Sequence, residues 1–133
     1  MEYKKRIMIV DDSIIDQMIT TRVLKTNYTY DEIVTMASAT EALAYFDNHI
    51  NNPALLPNLI LLDLDMPLMN GFGFLERFNN YSNSIKATCA IVVLTASEVL
   101  SDIEKMKSHP HVVTLISKPL DKNSLIPLIQ SYF

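Results

Sequence analysis

The chain has 133 residues, of which 49% are hydrophobic and 20% charged, and its net charge is −4. That length supports one domain, spanning 1–133, with a proper core, and the acidic balance excludes nucleic acid as a main partner because phosphate binding needs a basic face. No stretch approaches the roughly twenty apolar residues of a membrane span, and the apolar run after the charged start is too short for a signal peptide, so a cytoplasmic protein without membrane insertion is expected.

The first element is Ile7-Met8-Ile9-Val10, an apolar run without period, as a strand buried on both faces would be. It stops at Asp11-Asp12. Ser13 can then cap a helix with Asp16 in its first turn, and Ile15, Met18, Ile19 and Val23 fall on one helical face expected to be core. Residues 33–36 read as a short second strand with no acid at its end. Thr40 or Ser38 caps the next helix, where Ala39, Ala42, Leu43 and Phe46 share a core face. Residues 47–58, with Pro53 and Pro57, form a connection that is long against the usual one between helix and strand. Leu59-Ile60-Leu61-Leu62 is the third buried strand. It ends in Asp63, with a turn at Met66-Pro67 and Asn70-Gly71. Gly71 opens or closely precedes a third helix that turns Phe74, Leu75 and Phe78 inward, and residues 79–88 read as a polar connection.

Ala90-Ile91-Val92-Val93-Leu94 ends in Thr95. A helix over 98–108 follows, with Val99, Ile103 and Met106 inward, and Pro110 prevents its continuation. A fifth strand over 112–117 ends in Lys118-Pro119. In the tail, Pro127 would cost about 3 kcal/mol inside a helix capped by Asp121. The reading is therefore a turn over 120–123, Ser124 as cap, and a helix from about Leu125 whose Leu125, Leu128, Ile129 and Tyr132 face the sheet. Cys89 has no second thiol and sits beside an apolar run, which assigns it to the core. His49, His109 and His111 show no metal spacing relative to the acids and read as surface residues. Five strands alternating with five helices predict an α/β fold, a single doubly wound parallel sheet with right-handed crossovers and helices on both faces.

The strand ends carry the chemistry. In open α/β sheets ligands bind at the carboxyl ends of the strands, and here those ends bear Asp11-Asp12, Asp63, Thr95 and Lys118. A carboxylate directly after a buried strand is costly without a partner, and three together repel unless a cation sits among them. A hard divalent ion with oxygen ligands, Mg²⁺ above all, supplies that cation and normally also engages a phosphate. The site is built for phosphoryl chemistry.

At these residues the chain resembles the receiver domains of bacterial two-component response regulators, over nearly its whole length. The resemblance is carried by the ordered set Asp11-Asp12, Asp63 within D-L-D-M-P-L-M-N-G, Thr95-Ala96 and Lys118-Pro119. It implies a flavodoxin-like sheet in the order 2-1-3-4-5, with Asp63 as phosphoacceptor for a histidine kinase or histidine phosphotransfer protein. Mg²⁺ would be held by Asp11 or Asp12, Asp63 and the backbone carbonyl of Asp65. In relatives the second acid, here Asp12, is usually the direct ligand, with Asp11 acting partly through water. Thr95, Ala96 and Lys118 would bind the phosphoryl oxygens and switch, and the Lys118–Pro119 bond would be cis. The expected product is a signalling module, not an enzyme beyond its own phosphorylation and dephosphorylation, acting through a downstream protein that the sequence does not identify.

Some positions depart from the pattern. Leu115 stands where relatives carry an aromatic switch residue, so switching is expected to stay local, in the loop after Thr95 and the helix beyond. His109-Pro110-His111 replaces a common Gly-Ala, and Asp65 adds a fourth carboxylate. Two alternatives compete with the receiver reading. A haloacid-dehalogenase-type phosphatase also uses Asp-x-Asp at a strand end, but there that strand comes first. An unphosphorylated pseudo-receiver would act as a scaffold.

Overall fold

The computed structural model describes residues 5–27, 30–64, 66, 69–96, 100–118, 123 and 127. Five strands, β1 (Arg6–Val10), β2 (Glu32–Met36), β3 (Leu59–Asp63), β4 (Ala90–Thr95) and β5 (Val112–Ser117), form one sheet in the order β2-β1-β3-β4-β5. Every pairing is parallel. The helices with bounds among the described residues are α1 (Ile14–Asn27), α2 (Ala39–Asn48), α3 (Gly71–Phe78), α4 (Asn83–Thr88) and α5 (Leu100–Lys107).

Successive strand residues point to opposite faces, and this splits the apolar runs into two cores. Met8, Val10, Ile60, Leu62, Ile91 and Val93 join Ala42, Phe46, Phe74, Phe78 and Met106, so α2, α3 and α5 cover one face. Ile7, Ile9, Leu59, Leu61, Val92 and Leu94 join Leu24 of α1 on the other. The unbroken apolar runs 7–10 of β1 and 59–62 of β3 follow from burial on both sides. The seam between α2 and α3 is aromatic: Phe46 meets Phe78 edge-on at 5.8 Å and stacks on Tyr81 at 5.5 Å. Burial and the hydrogen bond to Asp47 push the Tyr81 phenol well above its ordinary value.

Several local expectations change. Of the four residues assigned to the inward face of the first helix, Val23 is half-buried against the core as expected, but the other three point out: Ile15 is 70% exposed, Met18 62% and Ile19 43%, with Ile14 at 71%. Inward instead are Thr20 and Leu24, both buried, and the half-buried Asp16 and Gln17. The first turn of α1 sits over the polar end of the sheet, where Gln17 donates to the Asp11 carbonyl at 2.6 Å. At this end of α1 polar side chains are therefore satisfied inside and the apolar ones are left outside, while Val23 and Leu24 further along still meet the core.

The connection over 79–88 contains a helix, α4, capped by Ser82 and anchored by buried Ile85; with six residues it shows no period to read. The long connection over 47–58 includes a 3-10 turn, Pro53–Leu55. The buried Arg6 holds it, donating to the Ala54 carbonyl at 2.7 Å while pairing with Glu32 at 2.8 Å. Ser38, not Thr40, caps α2, and the Glu41 carboxylate accepts from the Ala37 N–H, one residue before the cap.

The histidines are half-buried rather than free surface groups: His49 bonds the Tyr45 carbonyl at 2.7 Å and His111 lies edge-on to Phe78. Cys89 is buried as expected, its thiol donating to the Pro57 carbonyl at 2.9 Å, and burial pushes it up to about 11. Of the residues assigned to α5, Met106 is buried and Ile103 half-buried, while Val99 lies outside the described residues. In the tail, Asn123 and Pro127 are both helical, so Asn123 is not part of a separate turn. Asp121, Ser124, Leu125, Leu128, Ile129 and Tyr132 lie outside the described residues.

Candidate functional site

The sheet order puts β1 and β3 side by side, with Val10 in register with Leu62, so Asp11 and Asp63 emerge next to each other. Asp11 is fixed by its own backbone and side chain. Its N–H donates to the Met36 carbonyl at 3.0 Å, and its Oδ1 accepts from the Ser13 N–H at 2.9 Å. Asp11 and Asp63 are buried and Asp12 is exposed, and each offers a carboxylate oxygen within 4.8 Å of the others. This is the one such group of potential metal ligands among the described residues. Three hard oxygen donors at the mouth of a sheet suit a hard divalent cation, so the residues fit the ion that the strand-end chemistry calls for.

Gly71 keeps the neighbouring helix close. A Cβ there would lie 3.0 Å from Leu64 Cα and 3.1 Å from the Asp63 carbonyl oxygen, both backbone atoms that cannot swing aside. The Gly71 N–H also donates to the Leu64 carbonyl at 2.9 Å. The turn after Asp63 is thereby closed onto α3, whose N-terminus is capped by Asn70.

Thr95 is buried at the end of β4, in register with Ser117. Its carbonyl accepts from the Lys118 N–H at 2.8 Å, tying the hydroxyl-bearing and lysine-bearing strand ends together. Ala96 follows and is exposed. Lys118 reaches across the sheet end to β1 and β3. Its Nζ lies 3.0 Å from Asp11 Oδ2, 2.9 Å from Asp16 Oδ2 and 3.3 Å from Asp63 Oδ1. An ammonium has three N–H donors, and three carboxylates surround this one. Burial disfavours its charge, yet the hydrogen bonds to Asp16 and Asp11 and the field of Asp63 outweigh that and hold Lys118 above its ordinary value.

Asp11, Asp12, Asp63, Thr95 and Lys118 are thus brought together. Asp65 and Pro119 lie outside the described residues, so the carbonyl ligand and the cis bond are not described either. Leu115 lies in β5, half-buried against the core. The residue that the sequence reading missed is Asp16, taken there only as a helix-start acid. Its place one helical turn after Asp12 was the available signal, since that spacing can return a side chain to the same end of the sheet.

The family model of the response regulator receiver domain matches residues 7–130. The chain is similar to response regulator Rcp1 of Synechocystis sp., 30% identical over 95% of this chain and 84% of that protein. The crystal structure of the Mn²⁺-bound form of Rcp1 superposes with a TM-score of 0.74, covering 96% of this chain and 90% of that one. A response regulator receiver protein from Dyadobacter fermentans, 31% identical, gives 0.79 with 97% and 98% covered. The chain also resembles the probable transcriptional regulator ycf27 of Cyanophora paradoxa, 35% identical over 74% of this chain, but spans only 36% of that protein's length. With a family match across nearly all of its length and the sheet order expected of that fold, the chain belongs to the response regulator receiver domains of two-component systems.

Proposed function

We propose that this receiver takes a phosphoryl group on Asp63 from a phosphohistidine donor and signals through contacts of the phosphorylated domain with a partner protein. The observation that carries this reading is the convergence of Asp11, Asp12 and Asp63 with the Lys118 ammonium at one sheet end. A carboxylate oxygen of Asp63 would attack phosphorus. As the P–O bond forms, the P–N bond to the donor imidazole breaks and its electron pair returns to nitrogen. Lys118 would neutralise charge on the transferred oxygens, and the Thr95 hydroxyl would donate to one of them. Asp11, Asp12 and Asp63, with the Asp65 carbonyl, would hold Mg²⁺, which would neutralise phosphoryl charge when bound. The Mn²⁺-bound form of Rcp1 supports a divalent ion here by analogy.

The donor has to reach the mouth of the site, and the exposed Ile14, Ile15, Met18 and Ile19 begin directly beside it. Ile15, Met18, Ile19, Arg22 and Val23 line a surface groove of about 360 Å³. Among the described residues these are the exposed large hydrophobics, and such a patch is a candidate docking surface, which we read as that of the histidine-bearing partner. We read the whole chain as a single receiver unit. Membership in the receiver family speaks against the phosphatase alternative, whose acceptor strand comes first in the chain.

Incubation with Mg²⁺ and a phosphohistidine donor tests the reading. One hydroxylamine-sensitive phosphoryl group should appear per chain, and Asp63→Asn should abolish it. A pseudo-receiver would take up none, and repeated turnover of a small phosphate ester would restore the phosphatase.

A further inference from the structure

Of the three carboxylates around Lys118, Asp16 stands apart. Asp11 and Asp63 belong to the trio that can hold a metal ion, whereas Asp16 lies outside it, in the first turn of α1. Its backbone N–H donates to Ser13 Oγ at 3.2 Å, which anchors that turn. Its carboxylate also makes the shortest of the three contacts, 2.9 Å against 3.0 Å to Asp11 and 3.3 Å to Asp63. A cation taken up by Asp11 and Asp63 would draw on the oxygens that share the ammonium, and would leave Asp16 as the partner that Lys118 keeps. A phosphoryl group on Asp63 needs the same ammonium.

We infer that Asp16 is a positioning residue: it holds the Lys118 ammonium at the rim of the site in the resting protein and competes with phosphoryl oxygens for it. This rests on the reading of Asp63 as phosphoacceptor. The competition is modest, because the Asp16 side chain is 38% exposed and the Lys118 side chain 18%, and a partly exposed ion pair is screened by solvent. The effect of Asp16 must also pass through Lys118. A mere change in local charge would not need the lysine, and that separates the two explanations.

The test is a double-mutant cycle read as beryllofluoride affinity at saturating Mg²⁺, with amide spectra confirming that each variant is folded. Asp16→Asn should tighten binding about twofold to fivefold, the range expected when a screened pair is released. Asp16→Ser should do the same. In a Lys118→Met background, Asp16→Asn should change affinity by much less. Weaker or unchanged binding in Asp16→Asn, or an equal gain in both backgrounds, would overturn the inference while leaving the phosphoacceptor reading intact. Wild-type protein that binds no beryllofluoride would overturn that reading and this inference with it.

Discussion

At the scale of the residue, the two half-buried histidines before β5 carry a pH dependence whose sign can be worked out. Burial lowers His109 from its ordinary value, and the charges of His111 and Lys86 add to that against a carbonyl bond at Leu75. Burial and Lys86 lower His111 likewise. The His111 N–H also donates to His109 Nδ1 at 3.4 Å, a contact that a proton on that nitrogen would remove. In the window just below about 6.5 the unfolded chain binds more protons than the folded one. Stability should therefore rise with pH through that window and be lost as pH falls below it. Urea midpoints between pH 7 and 5 should show this fall, and His109→Gln should flatten part of it. An identical pH profile in the variant would refute the role given to His109.

At the scale of the element, α1 is a helix whose faces have exchanged their usual character in its N-terminal half, while Val23 and Leu24 still meet the core. Its inner first turn is polar because Asp16 meets Lys118 and Gln17 meets the Asp11 carbonyl, and its outer face carries four large apolar side chains. Helix amphipathicity normally points the other way. If that outer face seats a partner, charge placed on it should damage transfer from a protein donor and spare a small one. Ile15→Glu should slow phosphoryl transfer from a phosphohistidine protein about tenfold, the size of one interface anchor of about 1.4 kcal/mol. Labelling by phosphoramidate should stay near the wild-type rate. Equal loss with both donors would mean that the substitution disturbs the site itself, and no loss with either would remove α1 from the docking surface.

At the scale of the whole molecule, the sheet gathers Asp11, Asp16 and Asp63 around one ammonium, with Asp12 beside Asp11 and Asp63. Lys118 offsets only part of their mutual repulsion, so a divalent ion that binds the folded state should stabilise it by mass action. At a hundred times its dissociation constant, Mg²⁺ should add about 2.7 kcal/mol, seen as a rise of several degrees in melting temperature. In chelator, Asp63→Asn should melt above wild type because one of the clustered charges is gone, while Lys118 keeps Asp11 and Asp16. Unfolding curves that ignore both Mg²⁺ and this substitution would sink the shared site.

Much of this architecture was already legible in the chain. Four apolar runs ending in Asp11-Asp12, Asp63, Thr95 and Lys118 were enough to predict a parallel sheet and its functional edge, because strands buried on both faces must be apolar throughout and can change character only where they reach solvent. The order of the strands came from the family resemblance. The short helix α4, with a single buried Ile85, carried no periodicity from which it could be read.

The orientation of α1 was likewise decided by tertiary structure. Periodicity groups residues that share a face, but it does not say whether that face meets the core or the solvent. The answer came from Lys118, 102 residues away in sequence from Asp16, whose ammonium makes a polar first turn favourable inside. A contact between such distant parts of the chain exists only once the sheet has brought β1 and β5 to the same edge, and so Asp16 reads as an ordinary helix-start acid until the fold is seen.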